Sequence, residues 1–166
     1  AFVAVNQAGA YGALTLASDG QWTYSLGAAA QALAAGQVVS ETFTVTLTDG
    51  SSTTVTITVT GTDDLPVISS GTGAVTEDTS PTTSGTLTAT DADNPALAFV
   101  PGNQAGAYGA LTLAANGQWS YTLGAASQAL AAGQTATETF TVTLTDGSTT
   151  TVTITVTGTD DLPVIS

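Results

Sequence analysis

Every charged side chain in this sequence is a carboxylate. Its 166 residues include 13 Asp and Glu and no Lys, Arg or His, for a formal net charge of −13. Cys and Met are absent as well. Such a set cannot build a Ser-His-Asp triad, a thiol nucleophile or a Schiff base, so we expect no enzyme; a two-carboxylate hydrolase and a carboxylate-only metal site survive on paper. Without basic residues there are no phosphate-neutralising contacts, which argues against nucleic acid and against docking on anionic membranes. What carboxylates do well unaided is hold a hard cation, since calcium takes about six to eight oxygen ligands from carboxylates, amides and carbonyls.

Eight of the 13 acids fall in three kinds of short segment. Asp63, Asp64, Asp160 and Asp161 lie in two Gly-Thr-Asp-Asp-Leu-Pro runs, Glu77 and Asp78 in Thr-Glu-Asp-Thr, and Asp91 and Asp93 in Asp-Ala-Asp-Asn, where Asn94 adds an amide. This is not an EF-hand, because the twelfth position of a loop opening at Asp91 is Gly102 rather than Glu. The other acids read differently. Asp19, Asp49 and Asp146 each stand before Gly or have an Asn-Gly counterpart, which suits two-residue hairpin turns. Glu41 and Glu138 open strands and are expected to be solvated.

The elements that must position these acids come from a repeat. Residues 1–69 align with 98–166 at an offset of 97, without a gap, and differ at 11 of 69 positions. Tandem near-identity of this kind builds extended proteins rather than active sites. The patterning is β nearly throughout. Thr42–Thr48 and Thr54–Thr60 alternate threonine with apolar residues and flank Asp49-Gly50, as a hairpin with one buried face does. Gly12–Ala17 and Gln21–Leu26 are further strands, the latter turning Trp22, Tyr24 and Leu26 inward. The second copy repeats all four at Gly109–Ala114, Gln118–Leu123, Thr139–Thr145 and Thr151–Thr157. Ala28–Ala35 and Ala125–Ala132 are helix-prone but short, with Leu33 and Leu130 as core plugs. Ala74–Thr79 and Ser84–Thr90 add two strands between the copies.

The fold class expected is all-β: tandem Greek-key sandwiches with about seven strands in each repeat. We place an incomplete first sandwich at 1–64, a complete second at 65–166 and the junction near 61–67. The first copy has no equivalent of Val67–Pro95. The simpler reading is a sequence cut inside a domain; the alternative is completion by a strand from another chain. With Ala1 as the first residue and no Met anywhere, we expect a piece of a longer protein. No apolar run reaches the length of a membrane span, and no signal peptide is visible.

Strand direction decides which acids can meet. If the strand through Val75 runs away from the linker, the strand through Leu87 returns and delivers Asp91, Asp93 and Asn94 beside Asp63 and Asp64. Glu77 is then left at the far end, near Asp160 and Asp161. That much negative charge calls for a cation, unless the segments are simply solvated loops.

The motifs Asn-Gln-Ala-Gly-Ala-Tyr-Gly, Gln-Ala-Leu-Ala-Ala-Gly-Gln, Glu-Thr-Phe-Thr-Val-Thr-Leu-Thr-Asp-Gly and Val-Thr-Gly-Thr-Asp-Asp-Leu-Pro-Val-Ile recur in order in both copies. This series strongly resembles the VCBS-type repeats of large bacterial surface proteins, including biofilm adhesins of the RTX class. Such repeats are similar to cadherin-like and bacterial immunoglobulin-like sandwiches. The resemblance implies an extracellular extender on the bacterial cell surface that holds a distal binding region away from the cell. It also implies calcium (Ca2+) at the junctions: Asp63 and Asp64 as the linker acids, Asp91 and Asp93 as the D-x-D loop, Glu77 as the first-strand acid, and Asp160 and Asp161 as the next linker. No counterpart of the mid-domain acidic motif of cadherins is present, so one or two ions per junction are expected rather than three.

The partners expected are neighbouring repeats of the same chain. Two other readings stay open. One is a subunit of an extracellular filament or surface layer, associating through Thr-rich edge strands that lack Lys gatekeepers. The other is a module for carbohydrate or a partner adhesin, although the alternation of Trp22 and Trp119 with Tyr and Leu marks them as core residues rather than sugar platforms.

Overall fold

A computed structural model describes residues 1–161. Residues 162–166, the end of the expected second domain, lie outside the described residues. The chain divides into two compact units, 1–65 with 91–95 and 66–90 with 96–161. The loop 91–95, which the sequence assigns to the second repeat, groups with the first unit.

In the first unit, β1 (Val5–Ala8), β2 (Gly12–Leu16) and β3 (Trp22–Leu26) form an antiparallel sheet in that order, and β4 (Val38–Thr46) pairs antiparallel with β5 (Ser52–Thr60). The second unit repeats this set and adds to it. Its strands are β6 (Val67–Ile68), β7 (Gly71–Thr76), β8 (Thr82–Thr86), β9 (Ala89–Thr90), β10 (Gly102–Ala105), β11 (Gly109–Leu113), β12 (Gln118–Leu123), β13 (Thr135–Thr143) and β14 (Thr149–Thr157). One sheet runs β10-β11-β12-β8, the other β13-β14-β7, and β6 pairs with β9. β7 lies parallel to β14, from Val152 opposite Gly71 to Thr157 opposite Thr76. The two main sheets hold seven strands, which is the all-β sandwich expected from the alternation. The short β1 and β10 are strands the sequence reading missed, since Asn and Gln interrupt their apolar pattern.

The core follows period-two alternation. Phe140, Val142, Val152, Ile154 and Val156 are buried from β13 and β14, against Leu111, Leu113, Trp119 and Tyr121 of the other sheet. Leu33 and Leu130 are buried where short 3-10 turns, Ala28–Ala32 and Ala125–Ala129, end. Those turns replace the expected helical segments, as runs this short favour tighter hydrogen bonding.

Three expectations need correction. The Asp-Gly turns are not two-residue hairpins. Ala17 N–H donates to the Gln21 carbonyl and Gly20 N–H to the Ala17 carbonyl, enclosing three residues, with Gly20 at φ 93°. That left-handed glycine makes a bulge which takes up the extra residue. Asp19 Oδ1 accepts from Gln21 N–H at 3.0 Å, and Asn116 does the same for Gln118, so neither needs its charge.

Second, Trp22 is 48 % exposed and Leu26 62 %, whereas Trp119 is 4 % exposed. The alternation points Trp22 to the core side, but the strands that cover Trp119 have no equivalent among the described residues of the first unit.

Third, Glu41 and Glu138 are buried rather than solvated, each 8 % exposed. Glu138 has the same strand parity as Phe140 and Val142, so it must face inward. Its Oε1 accepts from Tyr108 N–H at 2.9 Å, and Oε2 accepts a short hydrogen bond from the Tyr121 hydroxyl. In the first unit Glu41 accepts from Tyr11 N–H at 2.8 Å and the Tyr24 hydroxyl at 2.5 Å. A Cβ on Gly9 would lie 2.5 Å from Glu41 Oε1, and one on Gly106 would collide with Glu138. Gln7 and Gln104 complete the anchor by donating to the carbonyls of Thr44 and Thr141, both at 2.8 Å. The recurrent Asn-Gln-Ala-Gly-Ala-Tyr-Gly segment is thus a loop wrapped around a carboxylate.

The pair shifts both titrations. The Tyr24 hydrogen bond outweighs desolvation and holds Glu41 below the ordinary carboxylate range. Burial, with the carboxylate beside it, pushes Tyr24 up to about 12. A raised tyrosine contributes stability fully present below its unfolded value of 10.0 and lost as pH rises towards about 12. Alkaline denaturation should therefore lose the first unit over that window, and Tyr24→Phe should flatten the loss, as read by circular dichroism against pH. In the second unit, Tyr121→Phe leaves Glu138 Oε2 without its donor. It should cost about 1–3 kcal/mol in urea unfolding, more than removing a surface hydroxyl.

Candidate cation-binding loops

The acidic segments sit where strands end. In the first unit, Asp91 Oδ1 accepts from the N–H groups of Asp93 (3.1 Å) and Asn94 (3.2 Å), which curls the Asp-Ala-Asp-Asn loop into an Asx-type turn. Asp93 Oδ2 then accepts from Asp64 N–H at 3.4 Å, so a loop carboxylate meets the linker backbone. In the orientation that satisfies both ends of its amide, Gln31 donates to Asp64 Oδ2 at 3.1 Å. Asp63 is exposed, while Asp64, Asp91, Asp93 and Asn94 are half-buried. The structure thus brings together the Asp63-Asp64 linker and the Asp91–Asn94 loop.

In the second unit, Glu77 follows β7 and is fully buried. Its Oε2 accepts from Thr159 N–H at 3.1 Å, but its Oε1 is buried with no hydrogen-bond partner among the described residues. Asp78 stands beside it at φ 59°, a left-handed conformation costly for a non-glycine residue, and its Oδ2 accepts from Thr159 Oγ1 at 2.8 Å. Desolvation, then the negative charges of Glu77, Asp78 and Asp160, raise the Asp161 carboxyl above its ordinary value. The end of β7 and the segment after β14 therefore share one negative field. Asp78 was not among the expected site residues; its turn conformation leaves no mark in the sequence.

These contacts are pairwise. Among the described residues, no three His, Cys, Asp or Glu side chains are already gathered closely enough to hold a metal ion. The donor chemistry nevertheless suits a hard cation: the ligands are oxygen, and one buried carboxylate oxygen has no donor among the described residues. With no Lys, Arg or His in the sequence, no side chain can neutralise that charge. Asp63, Asp64, Asp91, Asp93 and Asn94 would hold an ion in the first unit, and Glu77, Asp160 and Asp161, with Asp78, in the second.

No helix among the described residues is long and apolar enough to cross a membrane. No curated protein matches the chain in sequence. Residues 1–61 and 63–158 each match the bacterial cadherin-like domain, one match for each sandwich. With nearly all of its length so matched, and with the β-sandwich described above, the chain belongs to the bacterial cadherin-like domain family.

Proposed function

We propose that this chain is a spacer segment of a large extracellular bacterial adhesin of the VCBS/RTX type. Its role is to project a distal binding region from the cell surface, with calcium stiffening the ends of each sandwich. It has no catalytic task. The observation that carries the calcium reading is Glu77, a fully buried carboxylate with an oxygen unpartnered among the described residues, in a chain without basic side chains. Removing a charge from water without a partner is costly, and a divalent cation relieves that cost. The near-identity of the two copies supports the spacer role, because repeating one unit lengthens a chain without specialising either copy.

Extracellular calcium modules bind at about 10⁻⁴–10⁻³ M, so such sites fill outside the cell and empty inside it. A chain of this kind stays pliable until exported and stiffens on arrival. The exposed Trp22 does not favour a carbohydrate platform, since the matching Trp119 is a core residue in the complete unit.

Thermal melts in calcium and in chelator test the reading. At about 10 to 100 times Kd, calcium should add about 1.4–2.7 kcal/mol, raising Tm by roughly 5–15 °C. Asp91→Ala with Asp93→Ala should remove the rise in the first unit, and Glu77→Gln in the second. Equal melts with and without calcium would leave the acids as solvated loops and end the calcium part of the proposal.

A further inference from the structure

β13 is the longest edge strand of the second sandwich. It ends the order β13-β14-β7 and runs nine residues, against four in β10, six in β7 and five in β8. Its sequence invites pairing. Threonine alternates with Phe140 and Val142, no Pro interrupts it, and its one charge, Glu138, is turned inward. A long edge with no outward charge is a template for the same strand of another molecule.

That edge is nevertheless occupied. The Thr143 carbonyl accepts from Val100 N–H at 2.9 Å, and Thr145 N–H donates to the Ala98 carbonyl at 2.9 Å. The next outward carbonyl, that of Thr141, is taken by a side chain: Gln104 Nε2 reaches over from β10 of the other sheet and donates to it at 2.8 Å. Farther along stands Glu138, tied to Tyr108 N–H and the Tyr121 hydroxyl, and an inward charge on an edge strand opposes an added neighbour. The first copy repeats the arrangement on β4. Val3 N–H donates to the Thr46 carbonyl, Thr48 N–H to the Ala1 carbonyl, and Gln7 Nε2 to the Thr44 carbonyl at 2.8 Å. Both glutamines are only half-buried, so their amides do not fill the core.

We propose that Gln104, and Gln7 in the first copy, shield the β13 and β4 edges from pairing with a second copy of this chain. Each amide does what Lys does on other edges: its side chain lies across the strand and holds a carbonyl that an incoming strand would need. The net charge of −13 does not replace this shield. At an ionic strength of about 0.15 M, exposed charges more than about 8 Å apart are largely screened.

Sedimentation of the intact chain over a range of concentrations, in chelator and about 0.15 M salt, tests the role. Gln7→Met with Gln104→Met keeps side-chain length and removes the donor. The expected result is a concentration-dependent rise in mass of about twofold or more, since two antiparallel β13 edges close a two-fold dimer. Circular dichroism of the dilute variant should match the unaltered chain, and Gln7→Lys with Gln104→Lys should stay monomeric. Tyr121→Phe, which weakens the fold without uncovering Thr141, controls for association through unfolding. A methionine variant that stays monomeric would overturn the proposal. Equal association of Tyr121→Phe would overturn it too, as would a methionine variant that associates only after losing its β-sheet signal.

Discussion

All side-chain charge in this protein has one sign, and the structure is organised around disposing of it. A carboxylate in a chain with no basic side chain has three options: water, a neutral donor or a cation from solution. The turn acids take the first two, with Asp49 and Asp146 accepting from the serine two residues on, which holds both below the usual carboxylate range. Glu41 and Glu138 are carried inside and satisfied there by a tyrosine hydroxyl and a backbone amide. Glu77 is carried inside and, among the described residues, only half satisfied. On the proposed reading, the same requirement that makes the Tyr–Glu pair a fold element makes the end of β7 a place for a cation.

The second constraint is apolar coverage. A sandwich holds together because each sheet removes the other's inner face from water, and the two copies show what two strands contribute. Trp22 leaves roughly 90 Å² more side-chain surface in water than Trp119, worth about 2 kcal/mol before the neighbouring Val55 and Ile57 are counted. The tilted Tyr–Phe contacts survive in both copies, with ring centroids at 6.0 Å for Tyr24–Phe43 and 5.8 Å for Tyr121–Phe140. Local packing around the carboxylate is thus intact in the first unit, while among the described residues nothing covers its outer apolar face.

Much of the fold was legible in the sequence, because threonine-apolar alternation fixes strand faces and the offset copies fix the repeat. The same alternation marks Glu41 and Glu138 as inward, two residues before Phe43 and Phe140; their charge points to water, and parity prevails because a tyrosine hydroxyl and a backbone amide satisfy each carboxylate. Trp22 failed for the opposite reason: its side was right, yet burial depends on strands that alternation in its own segment does not report. The acidic loops were legible as segments, and strand direction assigned Asp91–Asn94 to the linker and Glu77 to the next one. The turn that sets Asp78 at positive φ, and the depth of Glu77, come from tertiary contacts with Thr157 and Thr159 that no local pattern encodes.

The central claim is that a cation completes the charge left over at Glu77 and in the Asp91–Asn94 loop. Equilibrium dialysis of the intact chain against calcium tests it most directly. The account predicts saturable binding in the range of about 10⁻⁴–10⁻³ M, with Glu77→Gln removing part of the stoichiometry and Tyr24→Phe leaving it unchanged. No saturable binding, or a Glu77→Gln chain that binds as the unaltered one does, would contradict it.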